Sequence, residues 1–318
     1  NAALQTPLQI SGDILQSPVM PTAARAIDFL SIGLNSADTL IRLPRFPALD
    51  SKVPILSSEI LAGGQAASTA VACHRWGLRT RYAGKIGDDW AGRFQRNELA
   101  REGIEAHWIE VPHCASQAAY ILIDQPSGER TILWQHDQLL DLTPADLPRE
   151  WIAQTRLLHV DGHPPAPAAL AARWAREHGA VVTADLDNIY PGVEELLLSV
   201  DYLMASREFP SRVTGVADTP EALLELHRRF GCRLTGTTLG RDGALAWDGA
   251  SFHYSSGFCV EAIDTTGAGD IFHAAFAFAL LEGQSLDQIL EFACAAAALN
   301  CTALGARGGI RPVSEIRQ

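Results

Sequence analysis

Apolar positions along the chain recur with two periods, and the switch between them lays out the elements. Ile27 to Gly33 is a short apolar run ending in glycine, which predicts a strand. Ser68 to Trp76 and Trp90 to Glu102 read as helices, the second stopped by Gly103. Ala118 to Ile123 and Arg130 to Trp134, joined by Pro126-Ser127-Gly128, predict a β-hairpin. Beyond it the rhythm alternates: a strand at Leu157 to Gly162, a helix at Ala166 to His178, and a strand at Ala180 to Asp185. Val193 to Ser199, Tyr202 to Ala205 and Pro220 to Phe230 continue the series. Strands separated by helices of this length predict βαβ units and a mostly parallel sheet covered on both faces. Segments at about 34–60 and 115–137 interrupt the alternation and are the natural source of a small β lid. Residues 1–26 show no clean period and scatter Pro7, Pro18 and Pro21, so an irregular extension is expected there, with 27–318 as the folded unit.

Composition narrows the class. The 318 residues are 47% hydrophobic, ample for one large core, and the formal charge of -12 argues against a nonspecific nucleic-acid surface. Six cysteines show no Cys-x-x-Cys spacing and read as reduced small hydrophobes. No uninterrupted apolar stretch reaches membrane-span length, and the first residues lack a signal-peptide pattern, so a cytoplasmic protein is expected.

The most informative chemistry lies at Asp264-Thr265-Thr266-Gly267-Ala268-Gly269-Asp270. It is followed by the apolar run Ile271 to Leu281 and then Gly283, which predicts a buried, glycine-capped helix. Glycines at such a mouth leave unpaired N–H groups that, with the helix dipole, favour an anion. A carboxylate there would oppose a phosphate unless it had a proton to accept. Phosphoryl transfer resolves the conflict: Asp270 takes the proton of a substrate hydroxyl while Gly267, Ala268 and Gly269 stabilise charge on the transferred group. By itself the motif would also suit an acidic N-cap on a glycine-rich turn.

Three blocks together carry a resemblance. Asp264 to Asp270 resembles the C-terminal signature of the ribokinase-like (PfkB) carbohydrate kinases. Gly63-Gly64-Gln65-Ala66-Ala67-Ser68-Thr69-Ala70-Val71-Ala72 resembles their N-terminal Gly-Gly signature. Thr237-Thr238-Leu239-Gly240-Arg241-Asp242-Gly243 is similar to their nucleotide-side strand and loop. The resemblance implies an α/β three-layer sandwich with a mostly parallel central sheet and a small β lid. It also implies ATP-dependent phosphorylation of a small sugar with magnesium.

On the acceptor side, Asp38 follows the first strand, placed to bind hydroxyls beyond its carboxyl end. The matching family aspartate accepts hydrogen bonds from sugar hydroxyls, and Gly63 and Gly64 match the pair that lines the sugar site near the lid hinge. Ser36 and Ser68 stand where ribokinases carry asparagine, which turns the expectation from ribose toward a ketose or modified hexose. Gln117, Tyr120, Arg130, Trp134 and His136 are candidate lid contacts. On the nucleotide side the resemblance implicates Thr238, Gly240, Gly243, Thr266, Gly305 and Ala306. The family's Asn-x-x-Glu metal motif is replaced, with Ser206 and Phe209 at its two ends, leaving either Glu208 acting through water or magnesium held by phosphate and water. The resemblance also leaves open a potassium ion at carbonyls near Asp264, Thr266 and Gly305, and a homodimer through the lid. No nucleic-acid or membrane partner is expected. A nucleoside kinase and a non-catalytic sugar-binding regulator are the competing readings. A dinucleotide oxidoreductase would need a glycine fingerprint that Gly33-Leu34-Asn35-Ser36 does not supply.

Overall fold

Side chains on a strand alternate between its two faces, so a strand that is apolar throughout needs cover on both. The computed structural model describes residues 25–126 and 130–318, and its first strand, β1 (Ile27–Ile32), is buried along its whole length. Phe29 enters one apolar layer and Leu30 the other, and the split repeats at Leu157 and Leu158 and at Met204 and Leu203. The later strands are β2 (Ser36–Leu43), β3 (Ser57–Gly63), β4 (Thr80–Gly87), β5 (Glu105–Val111), β6 (Ala118–Asp124) and β7 (Arg130–Gln135). They continue with β8 (Thr155–Val160), β9 (Val181–Leu186), β10 (Tyr202–Ala205), β11 (Leu234–Thr238), β12 (Ala244–Trp247) and β13 (Phe252–Ser255).

Nine of these make one sheet in the order β13-β12-β11-β10-β9-β8-β1-β4-β5. From β11 to β5 every pairing is parallel, and β12 and β13 close one edge antiparallel. Helices Gln65–Arg75, Ala268–Leu281 and Leu286–Asn300 pack on one face. Arg149–Gln154, Pro165–Glu177, Val193–Leu197 and Thr219–Phe230 cover the other. The helix Ala268–Leu281 is buried at every residue from Ile271 onward, wedged between Gln65–Arg75 and Leu286–Asn300. Its alanines allow that close three-helix approach.

The lid is a four-stranded sheet, β3-β2-β6-β7, with β2 and β6 parallel. Its own small core joins Leu40, Ala119, Ile121 and Ile123 to Leu61 and Leu304. β7 is exposed along its whole length.

Several expectations shift in place. Asp38 lies within the lid strand β2, because the chain returns to extended structure four residues after β1 ends. The first helix starts at Gln65, three residues before Ser68, with Gly64 as its N-cap. β8 stops at Val160, which leaves Asp161 and Gly162 beyond its carboxyl end. Residues 1–24 of the expected extension, and Ser127 and Gly128 of the hairpin turn, lie outside the described residues. The hairpin ladder runs up to the Ile123–Arg130 pair. Among the described residues no helix is long and apolar enough to cross a membrane.

Candidate active site

The anion turn depends on one left-handed glycine. Gly267, at φ 76°, is the N-cap of helix Ala268–Leu281. A Cβ there would lie 2.4 Å from the carbonyl oxygen of Ala306, so the C-terminal loop can close against this position only if it is glycine. Ala268, Gly269 and Asp270 form the first helical turn. The Ala268 amide turns back to the Thr265 carbonyl at 3.3 Å; first-turn amides otherwise have no carbonyl four residues earlier to bond, and they sit at the positive end of the dipole. A Cβ on Gly269 would meet nothing within 4 Å, so the space beside those amides is open.

Asp270 carries the largest perturbation in this turn. Its carboxyl is pushed up to about 7, first by burial and then by the charge of Asp185, with Asp38 adding to the rise; His273 and Arg307 pull the other way. His273 lies one turn along the same helix, its Nε2 3.1 Å from Oδ1 of Asp185 at the end of β9. Gln65 donates to the other oxygen of Asp185 at 3.4 Å. Burial raises Asp185, but the pull of His273, with His159 and His163 adding to it, makes the net shift downward. Asp185 thus stays ionised and keeps Asp270 basic. Beside His273, burial pushes His159 down to about 3, which leaves it neutral.

The lid carries a second carboxylate whose charge is felt at Asp270. Asp38 Oδ1 accepts from Ser36 Oγ at 2.6 Å, so Ser36 orients the carboxylate. Gly63, opposite Ser36 in the ladder, lets that carboxylate approach: a Cβ on Gly63 would lie 1.9 Å from Asp38 Oδ2. Burial raises the Asp38 carboxyl, partly offset by the Ser36 hydrogen bond and the charge of Arg307.

Arg307 was not singled out by sequence reasoning, and its buried guanidinium turns to the segment from Gly63 to Ser68. Nε donates to Ser68 Oγ at 3.1 Å and Nη2 donates to the Gly63 carbonyl at 2.7 Å. Burial lowers its pKa to about 10, partly offset by Asp270 and Asp38, so it remains a cation at neutral pH. Ser68 is fully buried and engaged by Arg307. Asp161, just past β8, was also missed as a site group. Its carboxylate accepts from the amides of Leu34 at 2.6 Å and His163 at 3.2 Å, and burial raises it to about 6 against the opposing pull of His163. The signal available for Asp161 and Asp185 was their place at the carboxyl ends of successive parallel strands.

Of the candidate lid contacts, Gln117 and His136 come together at 2.7 Å in a recess shared with Asn35, Lys85 and His163. Tyr120, on the inner strand β6, and Arg130 and Trp134, on the edge strand β7, are exposed.

On the nucleotide side, Thr238 ends β11 and Gly240 opens a short turn closed by the 2.7 Å bond from Leu239 N to the Gly243 carbonyl. A Cβ on Gly243 would strike the Ser255 carbonyl at 1.9 Å. Asp242 pairs at 2.7 Å with Arg207 rather than with its neighbour Arg241. Asp264 binds Thr266 and Gly305, which brings Gly305 and Ala306 against the anion turn. Phe209 is fully buried in the core, while Glu208 stays exposed before it. No group of three His, Cys, Asp or Glu side chains that could hold a metal by itself occurs among the described residues.

Comparison with known proteins agrees with this geometry. A family model for pfkB family carbohydrate kinases matches residues 33–312. The chain is 30% identical over 287 residues to a ribokinase of Haemophilus influenzae, covering 88% of this chain and 94% of that one. It is 29% identical over 281 residues to fructokinase-2 of Solanum habrochaites, with 80% and 85% covered. The crystal structure of a putative ribokinase from Agrobacterium tumefaciens superimposes with a TM-score of 0.85 at 31% identity, covering 92% and 96%. A left-handed glycine turn, a half-buried carboxyl at a helix mouth and a β lid carrying a second carboxylate thus occur in a chain that belongs to the pfkB family of carbohydrate kinases.

Proposed function

We propose that the chain is an ATP-dependent kinase that phosphorylates a hydroxyl of a ketose or modified hexose in preference to ribose. The observation that carries the reading is Asp270, half-buried beside open space at a helix mouth with its carboxyl raised to about 7. A base of that strength is matched to neutral pH. Asp38, oriented by Ser36, accepts hydrogen bonds from acceptor hydroxyls. Asp270 takes the proton of the attacking hydroxyl as the new O–P bond forms, and the bond between the γ-phosphorus and the departing ADP oxygen breaks. The amides of Ala268, Gly269 and Asp270, with Gly267 setting the turn, stabilise charge on the transferred group.

Magnesium supplies charge neutralisation on the nucleotide phosphates. The donor set suits an ion held mainly by phosphate and water, with Glu208 as the exposed carboxylate available to its hydration shell. Thr238, Gly240, Gly243, Thr266, Gly305 and Ala306 frame the nucleotide end, and closure of the lid excludes water. The exposed apolar strand β7, with Ile132, Leu133 and Trp134, supports pairing of two copies through the lid.

Ribose is disfavoured because the two asparagines of ribokinases are serines here, one bonded to Asp38 and the other to Arg307. Neither serine has the reach of a carboxamide, and the acceptor must suit a guanidinium-backed pocket. ATP consumption across pentoses, ketoses, hexoses, sugar acids and nucleosides tests this. A ketose or modified hexose should give the highest kcat/KM. Ribose leading by a wide margin would refute the substrate, a nucleoside leading would favour nucleoside kinase activity, and no turnover with any acceptor would favour a regulator.

A further inference from the structure

Two buried side chains tie the C-terminal loop to the anion turn. Asp264 uses one oxygen for the Thr266 amide at 2.9 Å and the Thr266 hydroxyl at 2.7 Å, and the other for the Gly305 amide at 2.9 Å. Asn300, fully buried at the end of helix Leu286–Asn300, holds the same two segments from below. Its Nδ2 donates to the carbonyls of Thr266 at 3.3 Å and Ala306 at 3.2 Å, and its Oδ1 accepts from the Gly309 amide at 3.1 Å. Thr266 immediately precedes the left-handed Gly267, and Ala306 is the residue packed against it. The Asn300 amide therefore fixes both walls of the turn.

The potassium site that the family resemblance leaves open does not fit this arrangement. An alkali ion is held by oxygen lone pairs that converge on it. Here the Thr266 carbonyl already accepts from the Asn300 amide at 3.3 Å, the Gly305 carbonyl accepts from the Gly308 amide at 3.4 Å, and the Asp264 carboxylate beside them is engaged by three hydrogens from Thr266 and Gly305.

We propose that Asn300 is a positioning residue whose neutral amide holds the anion turn in place of a monovalent cation, so that this chain works without potassium. The inference rests on the kinase reading for its activity readout, but nucleotide binding tests it separately. ATP affinity by titration calorimetry and turnover with the best acceptor are measured in tetramethylammonium chloride and in potassium chloride at equal ionic strength. Wild type should give the same values in both salts. Asn300→Ala should weaken ATP binding and lower kcat by about tenfold, the worth of one to two buried hydrogen bonds, while acceptor affinity measured without nucleotide is unchanged. Asn300→Asp keeps the shape and removes the donor, so it should show the same split should the alanine variant fail to fold. Potassium tightening ATP binding to wild type overturns the proposal, as does either folded variant retaining wild-type ATP affinity and kcat. Cation-independent ATP binding without turnover on any acceptor would leave this inference standing and remove the kinase reading instead.

Discussion

The acidic limb of the pH–rate profile is the sharpest consequence of the site. A general base works only when ionised, and Asp270 is raised to about 7 by burial and by Asp185. With that value the ionised fraction is about 0.01 at pH 5 and about 0.9 at pH 8, so kcat should rise about 90-fold over the interval. An aspartate at its ordinary value of 3.8 would be more than nine-tenths ionised at both, and the rise would nearly vanish. Negative charge on bound phosphate moves the limb to higher pH, whereas magnesium and the hydrogen bond from the acceptor hydroxyl oppose that movement. The assay is kcat at saturating ATP, magnesium and acceptor from pH 5 to pH 9, with Asp270→Asn measured in parallel. That variant keeps the shape, removes the basicity and should lose roughly 100- to 10,000-fold in kcat, with the Asp270 limb gone from its residual rate. A wild-type kcat nearly equal at pH 5 and pH 8, or an Asp270→Asn enzyme near wild-type speed, refutes the assignment of the base.

Three further outcomes follow from neighbouring contacts. Asp38→Ala should weaken acceptor binding by roughly 1.5–3 kcal/mol, the worth of hydrogen bonds to a charged group, read by calorimetry with the best acceptor; unchanged acceptor affinity with weakened ATP binding would reverse the two ends of the site. Gly269→Ala places a methyl group in open space beside the first-turn amides, so kcat should fall while the melting temperature holds, and full activity would show that the phosphoryl group does not sit there. Arg307→Gln removes a cation that lowers Asp270 and donates to Gly63; the acidic limb should move to higher pH and acceptor KM should rise, whereas a limb that stays put or moves down contradicts the electrostatics.

Much of the architecture was legible in the order of residues because its causes are local. A strand buried on both faces must be apolar throughout, and a helix mouth that binds an anion must be glycine-rich, so β1 and the turn at Gly267 announce themselves. Asp270 stood out because its carboxylate is anomalous within seven residues of sequence. Asp38 was legible as a residue within a lid segment, but its close approach to Gly63 depends on β2 pairing with β3, which lies well beyond it in the chain.

What only the tertiary structure decided is the set of side chains that act across long separations. Arg307 meets Ser68 over 239 positions and Asn300 meets Thr266 over 34. Neither contact leaves a periodic or turn signature, since an arginine after a glycine-rich loop and an asparagine at a helix end read as ordinary surface residues. The same holds for the perturbation of Asp270. Its sequence specifies a carboxyl group, whereas its basicity comes from burial and from Asp185, held in check by His273 and Arg307, on other parts of the fold or on the next helical turn. Local sequence supplies the reacting group; the packing of remote segments sets the electrostatic environment in which it reacts.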